Sequence, residues 1–350
     1  MVSLLLPLLL CAADVAAPDV EFQQPQLASQ GRNVAMVFGG GNTIYYSGSS
    51  DQGATFSAPV VVAHTAALSL RNHRGPRVAF AGDAIVITSG VGTAPAAAVP
   101  AQGKAAHAHG GGGQLLSWRS TNGGKTWTAG PMLSPSADEQ LHALLSDGKR
   151  RLWAAWLGDR PVRMYASHSE DAGVSWSAPQ VIYSSPDGSI CECCHPSLAL
   201  GANGEVLVMF RNSIAGARDL YLARSKDGAS FTAAKLGEGT WPLKACPMDG
   251  GGIAVGDGGI VTVWRRNTDI FLARPGEAEK KIGEGRNPAV AIGKNGVYTV
   301  WSAVEGLMAS VPGKAPYVLS KSGGFAAISG GMQVVVAWED GGRIRTARLD

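Results

Sequence analysis

Short runs of hydrophobic residues recur along the chain, and most of them end in an aromatic residue. They occupy residues 34–38, 153–156, 206–210, 261–264, 297–301 and 334–338, and the run at 85–88 fits the series without the aromatic. Runs of this length between turn residues are typical of buried strands. Trp264, Trp301 and Trp338 follow one another at 37-residue intervals, close to the length of a four-stranded blade. The series predicts seven units, whose strands we term a, b, c and d in chain order.

A second pattern marks the turn after strand c in four of the units. Its template is Ser-x-Asp-x-Gly-x-Thr-Trp, and it occurs at residues 49–56, 120–127, 169–176 and 225–231. The second copy has Asn122 in place of Asp, and the fourth is one residue shorter. Asp or Asn accepts local backbone hydrogen bonds, and Gly takes the left-handed position of a tight turn. Each segment therefore predicts a β-hairpin.

These segments resemble the Asp boxes, or BNR repeats, of the sialidase superfamily of β-propellers. The resemblance implies an all-β fold, a single propeller of four-stranded blades in which the boxes are structural hairpins on the outer rim. Members of that family have six blades, whereas the repeat count favours seven here. We expect the N-terminal segment near residues 20–24 to close the ring. The resemblance also implies a glycoside hydrolase or glycan-binding protein that acts on an anionic sugar at the central funnel.

Composition narrows the class of protein further. The 350 residues include 47 Gly, only 16% are charged, and the net charge is +3. A disordered chain needs low hydrophobicity and high net charge, and a collagen needs Gly at every third position, so both are excluded. The basic residues are spread along the chain, which argues against a nucleic-acid partner. The abundant Gly suits a protein with many tight turns.

The first ten residues form an apolar run followed by small residues, which predicts a signal peptide over residues 1–17 and a propeller domain over 18–350. The run is too short to span a membrane. We expect a secreted or periplasmic protein without a membrane span, a monomer whose partner is a glycan or another small anionic ligand.

In a propeller, the d–a and b–c loops share one face around the central channel, which we term the funnel face. Arginines on these loops predict an anion clamp, because guanidinium holds a carboxylate through two hydrogen bonds. Histidines at the starts of strands a add polar groups for ligand binding or proton transfer, and aspartates are candidates for acid–base catalysis. The predicted substrate-binding residues are Arg74, Arg77, Arg211, Arg218, Arg266, Arg286, His73 and His142, and the predicted catalytic residues are Asp249, Asp219 and Asp159.

Cysteines are concentrated on the same loops, in the motifs Cys-Glu-Cys-Cys-His-Pro and Cys-Pro-Met-Asp-Gly-Gly. The chain has five cysteines, and four remain if Cys11 leaves with the signal peptide. In an oxidising compartment that even number predicts disulfides, but three within four residues are poorly placed for two bridges. The alternative is a metal site, in which a soft ligand set suits copper(I), or zinc if only Cys and His bind. The candidate ligands are Cys191, Cys193, Cys194, His195, Cys246 and Met248.

Three functions remain open from the sequence. The first is a sialidase-like glycoside hydrolase or glycan binder, the second is a metalloprotein that uses the Cys/His/Met cluster for copper or zinc, and the third is a non-catalytic extracytoplasmic scaffold with a disulfide staple. The fold does not choose among them.

Overall fold

The computed structural model describes residues 13–17, 19–71, 73–92, 113–136 and 141–349, and strands account for nearly all of the regular structure. Blade 1 contains β2 (Gln23–Gln30), β3 (Asn33–Gly40), β4 (Thr43–Ser49) and β5 (Val60–His64); blade 2 contains β6 (Arg77–Ala81), β7 (Ala84–Gly92), β8 (Gly113–Ser120) and β9 (Thr128–Ala129); blade 3 contains β10 (His142–Ser146), β11 (Leu152–Gly158), β12 (Arg163–Ser169) and β13 (Gln180–Tyr183); blade 4 contains β14 (Ser197–Leu200), β15 (Val206–Arg211), β16 (Leu220–Ser225) and β17 (Thr232–Lys235).

The remaining strands form three more blades. Blade 5 contains β18 (Gly252–Gly256), β19 (Gly259–Arg266), β20 (Asp269–Ala273) and β21 (Lys280–Glu284); blade 6 contains β22 (Arg286–Gly293), β23 (Gly296–Ala303), β24 (Gly306–Ser310) and β25 (Tyr317–Ser320); blade 7 contains β26 (Ala326–Ser329), β27 (Val334–Asp340), β28 (Arg343–Leu349) and β1 (Ala13–Val15). Every blade is a four-stranded antiparallel sheet, so the prediction of seven blades is confirmed. Among the described residues, no helix is long and apolar enough to cross a membrane.

The ring closes through the N-terminal segment, as expected, but through an earlier stretch than residues 20–24. In β1, Asp14 pairs with Arg345 and Val15 pairs with Ile344 of β28. Residues 20–24 instead lead into blade 1, because Phe22 is fully buried and its amide donates to the Gly342 carbonyl at 2.9 Å. β1 lies within the predicted signal peptide, residues 1–17, most of which is outside the described residues, and that boundary stays a prediction.

The second strand of each blade is continuously hydrophobic because neighbouring blades cover both of its faces. In β7 and β15 every residue is buried, whereas the outermost strands β9 and β17 are almost wholly exposed. Hydrophobic clusters lie between adjacent blades, such as the cluster that joins Val37 and Ile87 of blades 1 and 2. The core is therefore a ring of interfaces between blades.

The four predicted hairpins lie between strands c and d of blades 1 to 4. In blade 3, Asp171 accepts hydrogen bonds from the Ser169 hydroxyl at 2.8 Å and the Ser175 amide at 2.9 Å. These and the Ser175 hydroxyl bond lower the pKa of Asp171 to about 2. Gly173 has a φ of +81°, and a Cβ there would lie 2.9 Å from the Val86 side chain of the preceding blade. The hairpins therefore serve blade packing, on the side opposite the funnel face.

We expect Phe22→Ala to destabilise the protein, because Phe22 packs in the seam between blades 7 and 1, with ring centroids 4.6 Å from Phe38 and 5.0 Å from Tyr45. Loss of a fully buried Phe costs about 3–5 kcal/mol of the free energy of unfolding. Urea unfolding measures this loss, with Val174→Ala on an exposed turn as the control. Equal midpoints for the two variants would contradict a tightly packed seam.

Candidate functional site

The first strands of the seven blades surround a channel along the propeller axis, with a cavity of about 210 Å³. Every blade contributes to its wall. The lining residues include Gln26, His73, Arg77, Leu144, His195, Ile253, Asn287 and Phe325. The polar residues among them come mainly from the d–a loops and strand a starts that the sequence analysis singled out.

His73 and His195 meet at this channel. Their rings stack with centroids 3.8 Å apart at 17°, and Phe325 packs edge-on against His73 at 4.8 Å. His73 Nε2 donates to Asn287 Oδ1 at 3.1 Å, and His195 Nε2 donates to the Gly251 carbonyl at 3.0 Å. Burial lowers the pKa of His73 to about 4 and lowers that of His195 well below its ordinary value. Both rings are therefore neutral at pH 7 and act as hydrogen-bonding groups.

The structure departs from the sequence prediction at His195 and His142. In the part of the chain that the structure describes, the potential metal-ligating atoms that lie within 4.8 Å of one another belong to three cysteines, and His195 is turned toward the channel. His142 is buried, and its Nε2 donates to the Thr88 carbonyl of blade 2 at 3.2 Å. It therefore links two blades and is not part of the channel lining with His73.

Arg77 and Arg211 do not present their guanidinium groups to a ligand. Both are buried. Arg77 donates to the Gly75 and His73 carbonyls at 2.6 Å, and burial lowers its pKa to about 10. Arg211 donates to the carbonyls of Asp249 at 2.9 Å, Arg218 at 2.5 Å and Arg265 at 3.0 Å. The guanidinium N–H groups that an anion clamp would need already donate to these carbonyls. Both arginines are therefore structural, and the prediction of an anion clamp is wrong at these two positions.

The other predicted arginines have separate surroundings. Arg266 forms an ion pair with Glu279, which raises the pKa of Arg266. The Arg218 Nε is buried without a hydrogen-bond partner. Arg74 is half-buried beside His73, whose pKa its charge helps to lower. Arg286 is exposed on the funnel face and remains suited to a ligand.

The three predicted catalytic aspartates lie apart. Asp249 is fully buried, and its carboxylate accepts from the amides of Asn287 at 2.8 Å and Gly251 at 3.3 Å, so it positions the loops of blades 5 and 6. Asp219 accepts from the Trp241 amide at 2.8 Å. Asp159 accepts from Tyr165 and Arg163, and these hydrogen bonds lower its pKa. This geometry favours structural roles for all three carboxylates.

The cysteines form a compact group, which we term the thiol cluster: Cys191, Cys193 and Cys194. Their side chains are buried, and Sγ of Cys191 lies 3.8 Å from that of Cys193 and 3.4 Å from that of Cys194. Cys246 is exposed, and the nearby Cys193 thiol lowers the pKa of Cys246. All four are free thiols. Met248 is 41% exposed, and its sulfur is not required to complete the cluster.

Sequence reasoning missed an open groove of about 560 Å³ on the funnel face of blades 5 to 7, which we term the funnel groove. Its walls include Arg265, Glu284, Arg286, Glu305 and Phe325, and it shares Asn287 and Phe325 with the axial channel. Arg265 is held by its Nε bond to the Asn267 carbonyl at 2.6 Å and by the face of Trp241 at 5.4 Å. Two cationic side chains and an aromatic ring therefore line one surface.

Glu339 is joined through its backbone to Gly324 and Phe325, which line this groove, and sequence reasoning gave it no role beyond its place in a b–c loop. Its Oε1 accepts the Gln24 amide at 2.7 Å, and its backbone amide donates to the Phe325 carbonyl at 2.9 Å. Burial raises the pKa of Glu339, the behaviour of a carboxyl that can act as a general acid. A carboxylate that directly follows a hydrophobic b strand was the signal in the sequence.

Comparison with known proteins supports the fold. No family model matches the chain, and no curated protein matches it in sequence. Similar solved structures include a protein of unknown function from Dyadobacter fermentans (14% identity over 97% of this chain and 98% of that chain, TM-score 0.55), an α-L-arabinanase from Penicillium chrysogenum (11%, 96% and 96%, 0.55) and an ulvan lyase (11%, 93% and 93%, 0.59). At these identities the likeness shows a shared propeller fold.

We expect stability to fall as the pH is lowered from about 6.5 to about 4, because unfolded chains bind a proton at His73 that the folded protein excludes. Above that pH range the His73 ring is neutral in the folded and the unfolded state, and below it the ring is protonated in both states. The shift from 6.5 to about 4 corresponds to about 3 kcal/mol. His73→Gln should reduce the loss by about that amount in urea unfolding at several pH values, whereas Phe325→Leu should retain it. The same slope for wild type and His73→Gln would contradict this assignment.

Proposed function

We propose that the protein is a carbohydrate-active propeller that binds an anionic glycan in the funnel groove and acts outside the cytoplasm. The observation that carries this proposal is the groove itself, in which Arg265, Arg286 and Phe325 line one open surface. Guanidinium groups recognise carboxylates and sulfates through paired hydrogen bonds, and an aromatic ring offers an apolar face to a sugar. The groove opens on the face where the b–c and d–a loops meet.

Proteins of similar fold favour a sugar as the ligand. They include an arabinanase, an α-L-arabinofuranosidase and an ulvan lyase, all of which act on sugars. In one structure the ulvan lyase is bound to GlcA(1-4)Rha3S, a unit that carries a carboxylate and a sulfate. A ligand of this kind matches the two arginines of the funnel groove.

Glu339 is the group that we assign to proton transfer. The acid of a glycan-cleaving enzyme must keep its proton near neutral pH, and burial provides this by disfavouring the charged carboxylate. Burial shifts the pKa of Glu339 upward, in the direction that this role requires, whereas hydrogen bonds from Tyr165 and Arg163 lower the pKa of Asp159. The bond from the Gln24 amide to Oε1 at 2.7 Å fixes the orientation of the carboxyl group.

We expect Arg286→Ala to weaken the binding of a polyuronate or sulfated oligosaccharide at least ~10-fold, because a charged hydrogen bond is worth about 1.5–3 kcal/mol. Calorimetric titration measures the affinity at low and moderate salt. Arg32→Ala is the matched control, since Arg32 is exposed on the a–b turn of blade 1, on the opposite face. Equal losses in the two variants, or equally tight binding of neutral arabinan, would contradict an anion site in the groove.

We expect Glu339→Gln to lose about 100-fold or more in turnover while it retains glycan affinity, because the amide keeps the shape of the acid but has no proton to transfer. Wild-type turnover should fall as the pH rises through the pKa of Glu339. Product analysis distinguishes hydrolysis from β-elimination, because β-elimination leaves an ultraviolet-absorbing unsaturated uronide and hydrolysis does not. Unchanged turnover in the variant would exclude Glu339 as the acid.

A further inference from the structure

The thiol cluster is separate from the funnel groove and has no part in the glycan proposal. Cys191, Cys193 and Cys194 lie on the loop between blades 3 and 4 and face the loop between blades 4 and 5, which carries Cys246. Burying three thiols side by side gives little apolar packing beyond what Ala or Val would give. Packing alone therefore does not explain why cysteines occupy these three buried positions.

The sulfur atoms have the spacing of ligands around one ion. Sγ of Cys191 is 3.8 Å from Cys193 and 3.4 Å from Cys194, and all three atoms lie within 4.8 Å of one another. A tetrahedral ion with metal–sulfur bonds of about 2.3 Å separates its sulfur ligands by about 3.8 Å, whereas a disulfide requires about 2.05 Å. The observed separations match the first arrangement.

The surrounding side chains leave sulfur as the available ligand type. Glu192, within the motif, is paired with Arg160 at 2.8 Å, and both carboxylate oxygens of Asp249 accept backbone amides. His195 is directed to the axial channel through its bond to Gly251. Soft thiolate sets favour copper(I) and zinc over magnesium or calcium, which take oxygen ligands.

Positive charge and a fixed backbone complete the site. The charges of Arg218 and Arg211 act on Cys191, and the Arg218 Nε is buried without a hydrogen-bond partner, as a group that balances a thiolate–metal centre would be. The Cys191 amide donates to the Arg211 carbonyl at 3.0 Å, while the Arg211 guanidinium holds the Asp249 and Arg218 carbonyls. The two cysteine-bearing loops are thus held in register before any ion binds.

We propose that the thiol cluster binds one thiophilic d10 cation, copper(I) or zinc(II), and that Cys246 is the ligand at its solvent side. Cys246 is exposed and adjacent to Cys193, so an ion reaches the three buried thiols past it. Three thiolates satisfy copper(I), whereas zinc requires a fourth ligand, for which Cys246 is placed.

The test is a titration of the full chain, purified with reductant and stripped with a chelator, against zinc(II), copper(I) and, as a hard-cation comparison, magnesium. We expect one equivalent of zinc or copper per chain by elemental analysis, a rise in Tm on binding, and no effect of magnesium. Cys194→Ser should weaken binding at least ~100-fold, and Arg218→Met about 10-fold or more. Met248→Leu is the control and should bind as wild type.

Cys246→Ser distinguishes the two ions, because it should weaken zinc binding strongly and leave copper(I) binding nearly unchanged.

If Cys194→Ser does not fold, the metal-dependent rise in the Tm of wild type and the smaller rise in Arg218→Met still test the proposal. Absence of saturable binding, equal binding by wild type and Cys194→Ser, or a thiol titration in which the three cysteines of the thiol cluster and Cys246 are all disulfide-bonded would overturn the proposal. Glycan affinity is measured separately through Arg286, so failure of one proposal leaves the other intact.

Discussion

The funnel face depends on the burial of one positive charge without a carboxylate beside it. A guanidinium taken out of water is costly unless its N–H groups are satisfied, and here three carbonyl oxygens from three different loops satisfy that of Arg211. One of these loops carries the thiol cluster's partner Cys246, another carries Arg218, and the third leads to Arg265 of the funnel groove. The Arg211 side chain therefore fixes the positions of the thiol cluster and the funnel groove relative to each other, although the two sites share no ligand atoms.

Arg77 plays the same part on the other side of the channel, where its bonds to the Gly75 and His73 carbonyls hold the left-handed backbone of His73. Non-glycine residues with positive φ recur near the starts of strands a, at Gln24, His73, Met248 and Asn287. Such backbone costs energy and persists where the surroundings enforce it. On the opposite face, positive φ also occurs at Gln52, Ala172 and Asn203, which lie in the turns that join strands c to d or a to b.

The fold could be predicted from the sequence because a blade is a local unit. The prediction of seven blades rests on the spacing of the aromatic-ended b strands and on the four Ser-x-Asp hairpins. Both patterns depend on residues that are near one another in the chain. Side-chain roles depend on neighbours in space, and there sequence reasoning succeeded less. In the sequence, Arg211 and Arg286 are both arginines predicted on loops of the funnel face. In the structure, Arg211 is buried against carbonyls and Arg286 faces solvent. His195 follows the cysteines in sequence but points to the channel, and the raised pKa of Glu339 comes from its burial in the folded protein.

The seam between blades 7 and 1 has a consequence for the order in which the molecule is made. Contacts across it join residues that are 300 or more positions apart, as in the Ser29–Ser329 and Gln24–Glu339 hydrogen bonds. Bringing such distant residues together carries a large entropic penalty and is slow. While the chain is being synthesised, blade 1 keeps one face uncovered until the last blade leaves the ribosome. The ring therefore closes only after the strands of blade 7 have been made.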